Sequence, residues 1–222
     1  MATTRGIVLA TVLVVCLAVA GCGGDAHEGT DGIPSDAAGS GAETAGTSGE
    51  APPVHFYQEY VIIEPSARGC RVDGLYFMRN LSDRPLEMVV EYPFPVGGPF
   101  NYPYQIFIDD VSDEGEQSIG FVQTEESVTF TLRFEPQGER RFRARYAQQV
   151  RGGRATYIVT TTRRWERPID LAEFEIRIPP DLENATISLE PDRTESRRDT
   201  TVYFISRTDF YPEENIVIRW DD

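Results

Sequence analysis

The sequence predicts an all-β fold, an antiparallel β-sandwich, over residues 54–222. Apolar and polar residues alternate at every second position in several stretches, most clearly at 127–134, 141–146 and 173–178. This period of two places one face of a strand in a core and the other in water, as in antiparallel sheets. Turn residues recur about every 10 residues, which is typical of a sandwich.

The predicted strands follow one another along the whole domain, and no stretch shows a convincing helical stripe. About 170 residues are enough for one core; two smaller sandwiches, divided near 92–109, are the alternative. The strands are expected at 54–64, 69–80, 86–92, 104–109, 118–124, 127–134, 140–149, 155–162, 171–178, 185–190, 200–206 and 215–220.

The N-terminus has the features of an export signal. Residues 7–20 form an uncharged apolar run, preceded by Arg5. This run is shorter than the roughly 20 residues that a membrane-spanning helix needs. The run ends in Val19-Ala20-Gly21-Cys22, which resembles the lipobox of bacterial lipoproteins. The resemblance implies a signal peptide at 1–21, cleavage before Cys22 and attachment of lipid to its sulfur. A secreted protein cut near Ala20, or an uncleaved N-terminal helix, are the alternatives.

Residues 22–53 are predicted to be a disordered linker between the lipidated cysteine and the domain. They are mostly Gly, Ser, Thr, Ala, Asp and Glu, with Ile33 as the only large aliphatic residue. Such a composition buries too little apolar surface to offset the entropy of ordering the chain. The lipobox resemblance implies a location on the outer side of the plasma membrane. Gly23 and Gly24 favour the outer membrane, by analogy with lipoprotein sorting in enterobacteria.

Two stretches of the domain carry distinctive motifs: 77–95, with an Asn-x-Ser-Asp-x-Pro turn and a Pro-Phe-Pro step, and 136–146. They resemble VIT-type β-sandwich domains, named from vault proteins and inter-α-trypsin inhibitors, so the predicted sandwich is Ig-like or VIT-like. A third stretch, 157–169, resembles bacterial envelope proteins. The central region of a VIT domain is absent, as is a following von Willebrand A-type domain. The resemblance implies an accessory sandwich used for contacts, with no catalytic residues to transfer.

The residue types needed for common catalytic machinery are scarce. His27 and His55 are the only histidines, and Cys70 is the only cysteine beyond residue 22. The chain therefore has few residues that could form a nucleophile–histidine pair or a zinc site. We expect no enzyme, although chemistry based on carboxylates alone stays open. Cys70 shares a strand face with Val72 and Tyr76, which predicts a buried thiol.

An acidic segment at 109–116 is a candidate calcium site. Calcium binds six to eight oxygen ligands, often from such loops. The spacing does not match an EF-hand, and a solvated acidic turn is the alternative. The candidate ligands are Asp109, Asp110, Asp113, Glu114 and Glu116.

Two segments are candidate partner contacts. The aromatic–proline loop, residues 92–104, is too rich in proline for a central strand. If exposed, its aromatic residues are contact anchors, and if folded inward they cap the sandwich. A second loop carries a tryptophan among charged residues. The candidate contact residues are Tyr92, Phe94, Phe100, Tyr102, Tyr104 and Trp165.

Charge limits the partners. All 21 basic residues are arginine, and residues 22–222 carry 20 of them (21 minus Arg5) against 36 acidic residues. This balance argues against nucleic acid. The arginines at 141, 143 and 145 form a row that either pairs with the acids at 173 and 175 or binds an anionic polymer.

The sequence thus favours a lipid-anchored, non-enzymatic interaction or structural module of the cell envelope. Its partners would be an envelope protein or glycan; the alternative is a ligand- or calcium-binding lipoprotein that uses 109–116.

Overall fold

The computed structural model of the chain describes residues 53–221. Fourteen strands and one 3₁₀ helix, Thr160–Trp165, make up its regular structure. The strands are β1 Val54–Ser66, β2 Gly69–Asn80, β3 Leu86–Pro93, β4 Gln105–Asp110, β5 Gln117–Ser118, β6 Val122–Gln123, β7 Ser127–Phe134, β8 Glu139–Gln149, β9 Arg154–Tyr157, β10 Ile169–Ile178, β11 Thr186–Ile187, β12 Arg193–Arg197, β13 Thr200–Phe210 and β14 Ile216–Arg219.

The strands form three sheets, which confirms the predicted all-β, sandwich-like fold. The large sheet has eight strands in the order β12-β13-β10-β1-β2-β8-β4-β5, and the small sheets have the orders β3-β7-β6 and β11-β14-β9. One detail differs from the antiparallel prediction, because β1 and β10 are parallel. Parallel neighbours need a long crossover, and the chain between these strands supplies it.

One face of the large sheet packs against both small sheets. Phe130 of β7 lies edge-on to Phe142 of β8 with ring centroids 5.2 Å apart, and Tyr157 of β9 meets Phe174 of β10 at 6.2 Å. Buried residues of all three sheets belong to one hydrophobic cluster. Strand β4 pairs with β8, so residues 105–110 belong to the large sheet.

A tyrosine links the three sheets at the centre of this core. The hydroxyl of Tyr76 on β2 is hydrogen-bonded to Tyr92 of β3 and to Tyr157 of β9, each at 2.8 Å. The Tyr76 ring also stacks on Phe142 with centroids 4.7 Å apart. Burial raises the pKa of all three tyrosines well above its usual value, so the hydroxyls remain protonated.

A β-bulge in β1 changes which of its residues face the core. The pairing of β1 with β2 shifts register between Phe56 and Gln58. Val54 and Phe56 point inward before the bulge, whereas Glu59 and Val61 point inward after it. Because the extra residue inverts the alternation, the carboxyl group of a glutamate enters the core. Glu59 is 2% exposed, and its Oε1 has no hydrogen-bond partner.

Most predicted strands are present, with four main differences. The strand expected at 185–190 is reduced to Thr186–Ile187. The stretch expected at 118–124 is two short strands, and the one expected at 155–162 ends at Tyr157 and continues into the 3₁₀ helix. Strand β12 was not expected. The signal peptide, Cys22 and nearly all of the linker lie outside the described residues, so these predictions stay untested. Between residues 53 and 221, no helix is long and apolar enough to cross a bilayer.

Candidate functional site

The outward face of the large sheet is the candidate site, and we call it the open face. It consists of the outward side chains of β10, β1, β2, β8 and β4. Strand register places Ile62 beside Asp73, Asp73 beside Arg145, and Arg145 beside Phe107. Tyr60 and Leu75 form the adjacent row. The face therefore combines apolar and ionised side chains over neighbouring strands.

The sequence carries one signal of this surface. Residues 60–63 form an unbroken apolar run, so β1 presents apolar groups on both of its faces. Val61 and Ile63 are in the core, and Tyr60 and Ile62 are half-buried on the open face. Phe107 of β4 is 47% exposed. A strand with apolar residues on both faces indicates that the second face also makes contacts.

Two clefts adjoin each other on the open face. The first, about 260 Å³, is lined by Ile62, Phe107 and Arg145 among others. The second, about 500 Å³, is lined by Tyr60, Leu75 and Arg143 among others, and both clefts share Ile62 and Asp73. A third cleft of about 390 Å³ continues from the first through Glu64, Arg71 and Arg177, and reaches the exposed Tyr104.

Ion pairs hold the arginines of the open face in place. Arg143 binds Asp73 through two hydrogen bonds of 2.8 and 2.6 Å and Glu116 through one of 2.7 Å. These acids hold the pKa of Arg143 above its usual value despite partial burial. Arg145 donates to Asp109 at 2.7 Å and to Glu116 at 3.0 Å. The Arg143–Asp73 pair is a two-point fork, which fixes the positions of both side chains.

A second group of ion pairs lies on β10. Arg177 donates to Glu64 and to Glu175, each at 2.8 Å, and Tyr60 donates to the other oxygen of Glu175 at 2.8 Å. Burial of Glu175 opposes its ionisation, but the hydrogen bonds from Arg177 and Tyr60 outweigh burial and lower its pKa. Burial and Glu175 together raise the pKa of Tyr60 to about 12.

These contacts show whether the arginine row of β8 pairs with the acidic row of β10. The strand order separates β8, which carries the arginines, from β10, which carries Glu173 and Glu175, by β1 and β2. The two rows therefore do not pair with each other. Arg143 and Arg145 instead pair with Asp73, Asp109 and Glu116. Since the charges of Arg143 and Arg145 are compensated within the protein, these two arginines offer little attraction to an anionic polymer.

We expect Arg145→Gln to lower the free energy of unfolding by about 1–2 kcal/mol, because it leaves the largely buried Asp109 carboxylate without its cation. The Asp109 side chain is only 10% exposed. Urea unfolding at pH 7 measures the change. The matched control is Arg133→Gln, which removes an exposed pair with Glu87 (79% and 48% exposed). It should cost less than about 0.5 kcal/mol; equal losses would contradict the role of Arg145.

The acidic loop supplies ion-pair partners rather than a shared site. Asp109 and Glu116 bind arginines, and Asp110 lies 3.7 Å from Arg140. Asp113 and Glu114 are exposed. Among the residues that the structure describes, no three His, Cys, Asp or Glu side chains are placed to hold one metal ion. The calcium hypothesis thus stays a prediction without support from this geometry.

The aromatic–proline loop is mostly folded inward. Tyr92 and Phe94 are core residues, 8% and 2% exposed, so neither is available to a partner in this structure. Phe100 and Tyr102 pack against the core, and only Tyr104 is well exposed, at 67%. The buried Gln148 amide holds the loop by donating to the carbonyl oxygens of Pro95 and Asn101. The sequence analysis did not identify this anchor.

The remaining candidates also have structural contacts. Trp165 ends the 3₁₀ helix, packs against the core and lies 6.4 Å from the Phe56 ring. Cys70 is free and buried as predicted, and burial raises the pKa of its thiol to about 12. His55 lies 3.3 Å from Asp170 at the start of β10. Thus, of the candidate contact residues predicted from the sequence, Tyr104 is the one that is well exposed, and it lies at the border of the open face.

Comparison with known proteins supports the fold and leaves function open. The model of a family described as a domain of unknown function, DUF4424, matches residues 130–218. No curated protein is significantly similar to the chain in sequence. A candidate nutrient-binding protein from Legionella pneumophila is 12% identical, with a TM-score of 0.58 over 76% of this chain and 67% of that one. At this identity the similarity shows the fold alone.

An M1 zinc metallopeptidase from Deinococcus radiodurans is also similar in part. It is 17% identical, with a TM-score of 0.45 over 75% of this chain. The chain spans only 42% of the peptidase, and a similarity this weak carries no argument about catalysis.

Proposed function

We propose that the protein is a lipid-anchored, non-enzymatic interaction module of the bacterial cell envelope. Cys22 carries the lipid, and the open face is the contact surface for another envelope protein. The anchor rests on the lipobox resemblance of residues 19–22, on the outer side of the plasma membrane or at the outer membrane. The contact surface rests on the geometry of the large sheet.

The composition of the open face carries the proposal. Arginine and aromatic residues are enriched at protein–protein interfaces, and this face combines Arg145 and Arg177 with Tyr60 and Phe107. Carboxylates already orient Arg145 and Arg177, so binding does not have to immobilise these two side chains. Because the charges are balanced locally, a protein surface of mixed charge suits this face better than a polyanion or nucleic acid.

The residues that line the two clefts support a non-enzymatic role. The first and second clefts are lined by no histidine, cysteine, serine or lysine. The third is lined by Ser66 and the buried Cys70, with no histidine beside them. A nucleophile paired with a base, or a histidine acid–base pair, is therefore not available there. Three carboxylates that line the clefts, those of Glu64, Asp73 and Glu116, are bound to arginines. This arrangement fixes the positions of the side chains.

We expect the double variant Phe107→Ala with Tyr104→Ala to lose a protein that the wild-type chain captures from detergent-solubilised envelope. Both rings are exposed at the open face or its border, so their removal deletes contact area with little effect on folding. The measurement is a pull-down with the full chain, quantified by mass spectrometry. Thermal melting of the purified variants checks that both fold.

The matched control is Val122→Ala with Tyr211→Ala. These residues are 67% and 43% exposed, close to the 67% of Tyr104 and the 47% of Phe107, but they lie elsewhere. The control should capture the same protein as wild type. Capture that survives the loss of Phe107 and Tyr104, or that is lost equally in the control, would refute the open face as the contact surface.

A further inference from the structure

Two arginines line one cleft at the end of the large sheet, next to the third cleft of the open face but sharing no lining residue with it. Arg68 lies in the turn between β1 and β2, and Arg151 lies in the turn between β8 and β9. The backbone N–H of Val150 donates to the carbonyl oxygen of Arg68 at 3.2 Å, so the two turns are held together. Both arginines are exposed and line one cleft of about 390 Å³.

The charges of this pair are not compensated locally. Arg143, Arg145 and Arg177 each bind two carboxylates. By contrast, no carboxylate in the described part of the chain forms an ion pair with Arg68 or Arg151, and no acidic side chain lines their cleft. In a protein of net charge −15, two uncompensated arginines at one cleft form a local positive site.

The geometry of the cleft suits one kind of anion. A guanidinium donates two parallel hydrogen bonds, and a single arginine can therefore satisfy the two oxygens of a carboxylate. Two arginines beside one cleft suit a group with three or more acceptor oxygens, such as phosphate. Gly152 also lines the cleft; its φ of 67° favours glycine, and it leaves the backbone of the turn without a covering side chain.

We propose that this cleft, formed by Arg68, Arg151 and Gly152, binds a phosphate group. The site lies at the end of β1 opposite Val54, roughly 40 Å away by the rise of a 13-residue strand. The phosphate belongs to an anionic phospholipid headgroup or to a soluble phosphate ester. The site does not use the open face, so it can be correct whether or not the proposed protein contact is.

The test is a titration of the full chain, in neutral detergent, with inorganic phosphate at constant ionic strength. Selective ¹⁵N labelling of arginine and glycine makes the amide signals of Arg68, Arg151 and Gly152 accessible to NMR. These signals should shift and saturate together. Arg68→Gln with Arg151→Gln should weaken the affinity at least about tenfold, because it removes charge-assisted hydrogen bonds from two residues.

The matched control is the double variant Arg84→Gln with Arg167→Gln. These two arginines lie elsewhere, and their side chains form no ion pair in the described residues. The affinity of this variant for phosphate should equal that of wild type.

Flotation with vesicles of phosphatidylglycerol, compared with neutral phosphatidylcholine, separates a lipid source from a soluble one, and either source supports the site. Phosphate shifts spread evenly over the labelled arginines, or acetate binding as tightly as phosphate, would overturn the proposal.

Discussion

Glu59→Gln is expected to stabilise the folded protein at pH 8.5 and to change its stability little at pH 5. The Glu59 side chain lies in the core, and burial raises the pKa of its carboxyl to about 8, against 4.5 as the ordinary value. The tyrosine hydroxyls of Tyr76, Tyr92 and Tyr157 belong to the same polar region of the core, and the charge of Glu59 would raise their pKa values. The folded state therefore holds Glu59 as the neutral acid at neutral pH.

The direction in which stability changes with pH follows from proton binding. Between pH 4.5 and 8 the unfolded chain has released the Glu59 proton and the folded chain still holds it, so unfolding releases a proton and stability falls as pH rises. The contribution is fully present below pH 4.5 and is lost as pH rises through the folded pKa. A shift of this size corresponds to roughly 3–5 kcal/mol over that interval. Glutamine has the same shape as glutamate but no ionisable proton, so the variant does not lose folding stability in this way as the pH rises.

Urea unfolding of wild type and variant at pH 5, 7 and 8.5 measures the difference. The matched control is Glu175→Gln, which is also a buried glutamate but has a lowered pKa because Arg177 and Tyr60 donate to it. Its wild-type carboxylate is ionised throughout this range, so the control should run parallel to wild type. Parallel profiles for Glu59→Gln would show that Glu59 is ionised or solvated in the folded protein.

Glu59 also shows where the sequence stops predicting the fold. Alternation in β1 suggests that residues 54, 56, 58 and 60 share a face, which would place Glu59 outside. The bulge at Tyr57 inverts that phase, and it depends on how β1 pairs with β2. A register shift between two paired strands cannot be read from the residues of one strand alone. The other long strands were predictable because most of their core residues alternate, although β10 and β13 each contain a break in this pattern.

Strand β12 was missed for a different reason. Its residues, Arg193–Arg197, contain no apolar side chain, so alternation of hydrophobicity cannot mark it. It exists because its backbone pairs with β13 at the edge of the large sheet. Arg193 and Arg197 also cover the ring of Phe204, with guanidinium carbons 4.0 and 5.1 Å from its centroid. Such contacts are set by tertiary structure.

The candidate site shows the same limit. The composition of residues 92–104 is unusual, but it does not show whether the aromatic rings point into the core or into solvent. The hydrogen bonds of Gln148 and packing against the core determine their orientation. The open face is built from residues of β1, β2, β4, β8 and β10, and only the strand order brings them together. The acids that pair with Arg143 and Arg145 come from β2, β4 and the residue before β5, so the row of arginines alone was not enough to predict their role.

Gly74→Ala is expected to destabilise the protein by about 2–4 kcal/mol. Gly74 lies on the inner face of β2, where glycine normally weakens a strand. The Tyr76 ring folds back over it, and an added Cβ would lie 2.5 Å from Tyr76 Cζ and 2.7 Å from Cε2. The ring cannot easily move, because Tyr92 and Tyr157 hold its hydroxyl and Phe142 stacks on its face.

A double-mutant cycle tests this cause. In a Tyr76→Val background the obstructing ring is gone, so Gly74→Ala should cost less than about 0.5 kcal/mol, and the two changes should be strongly non-additive. Sucrose can be added to every sample if the Tyr76 variant is marginally stable. Gly120→Ala is the control, because nothing lies within 4 Å of its added Cβ. Additive losses would mean that Gly74 is needed for its backbone and not for the close approach of Tyr76.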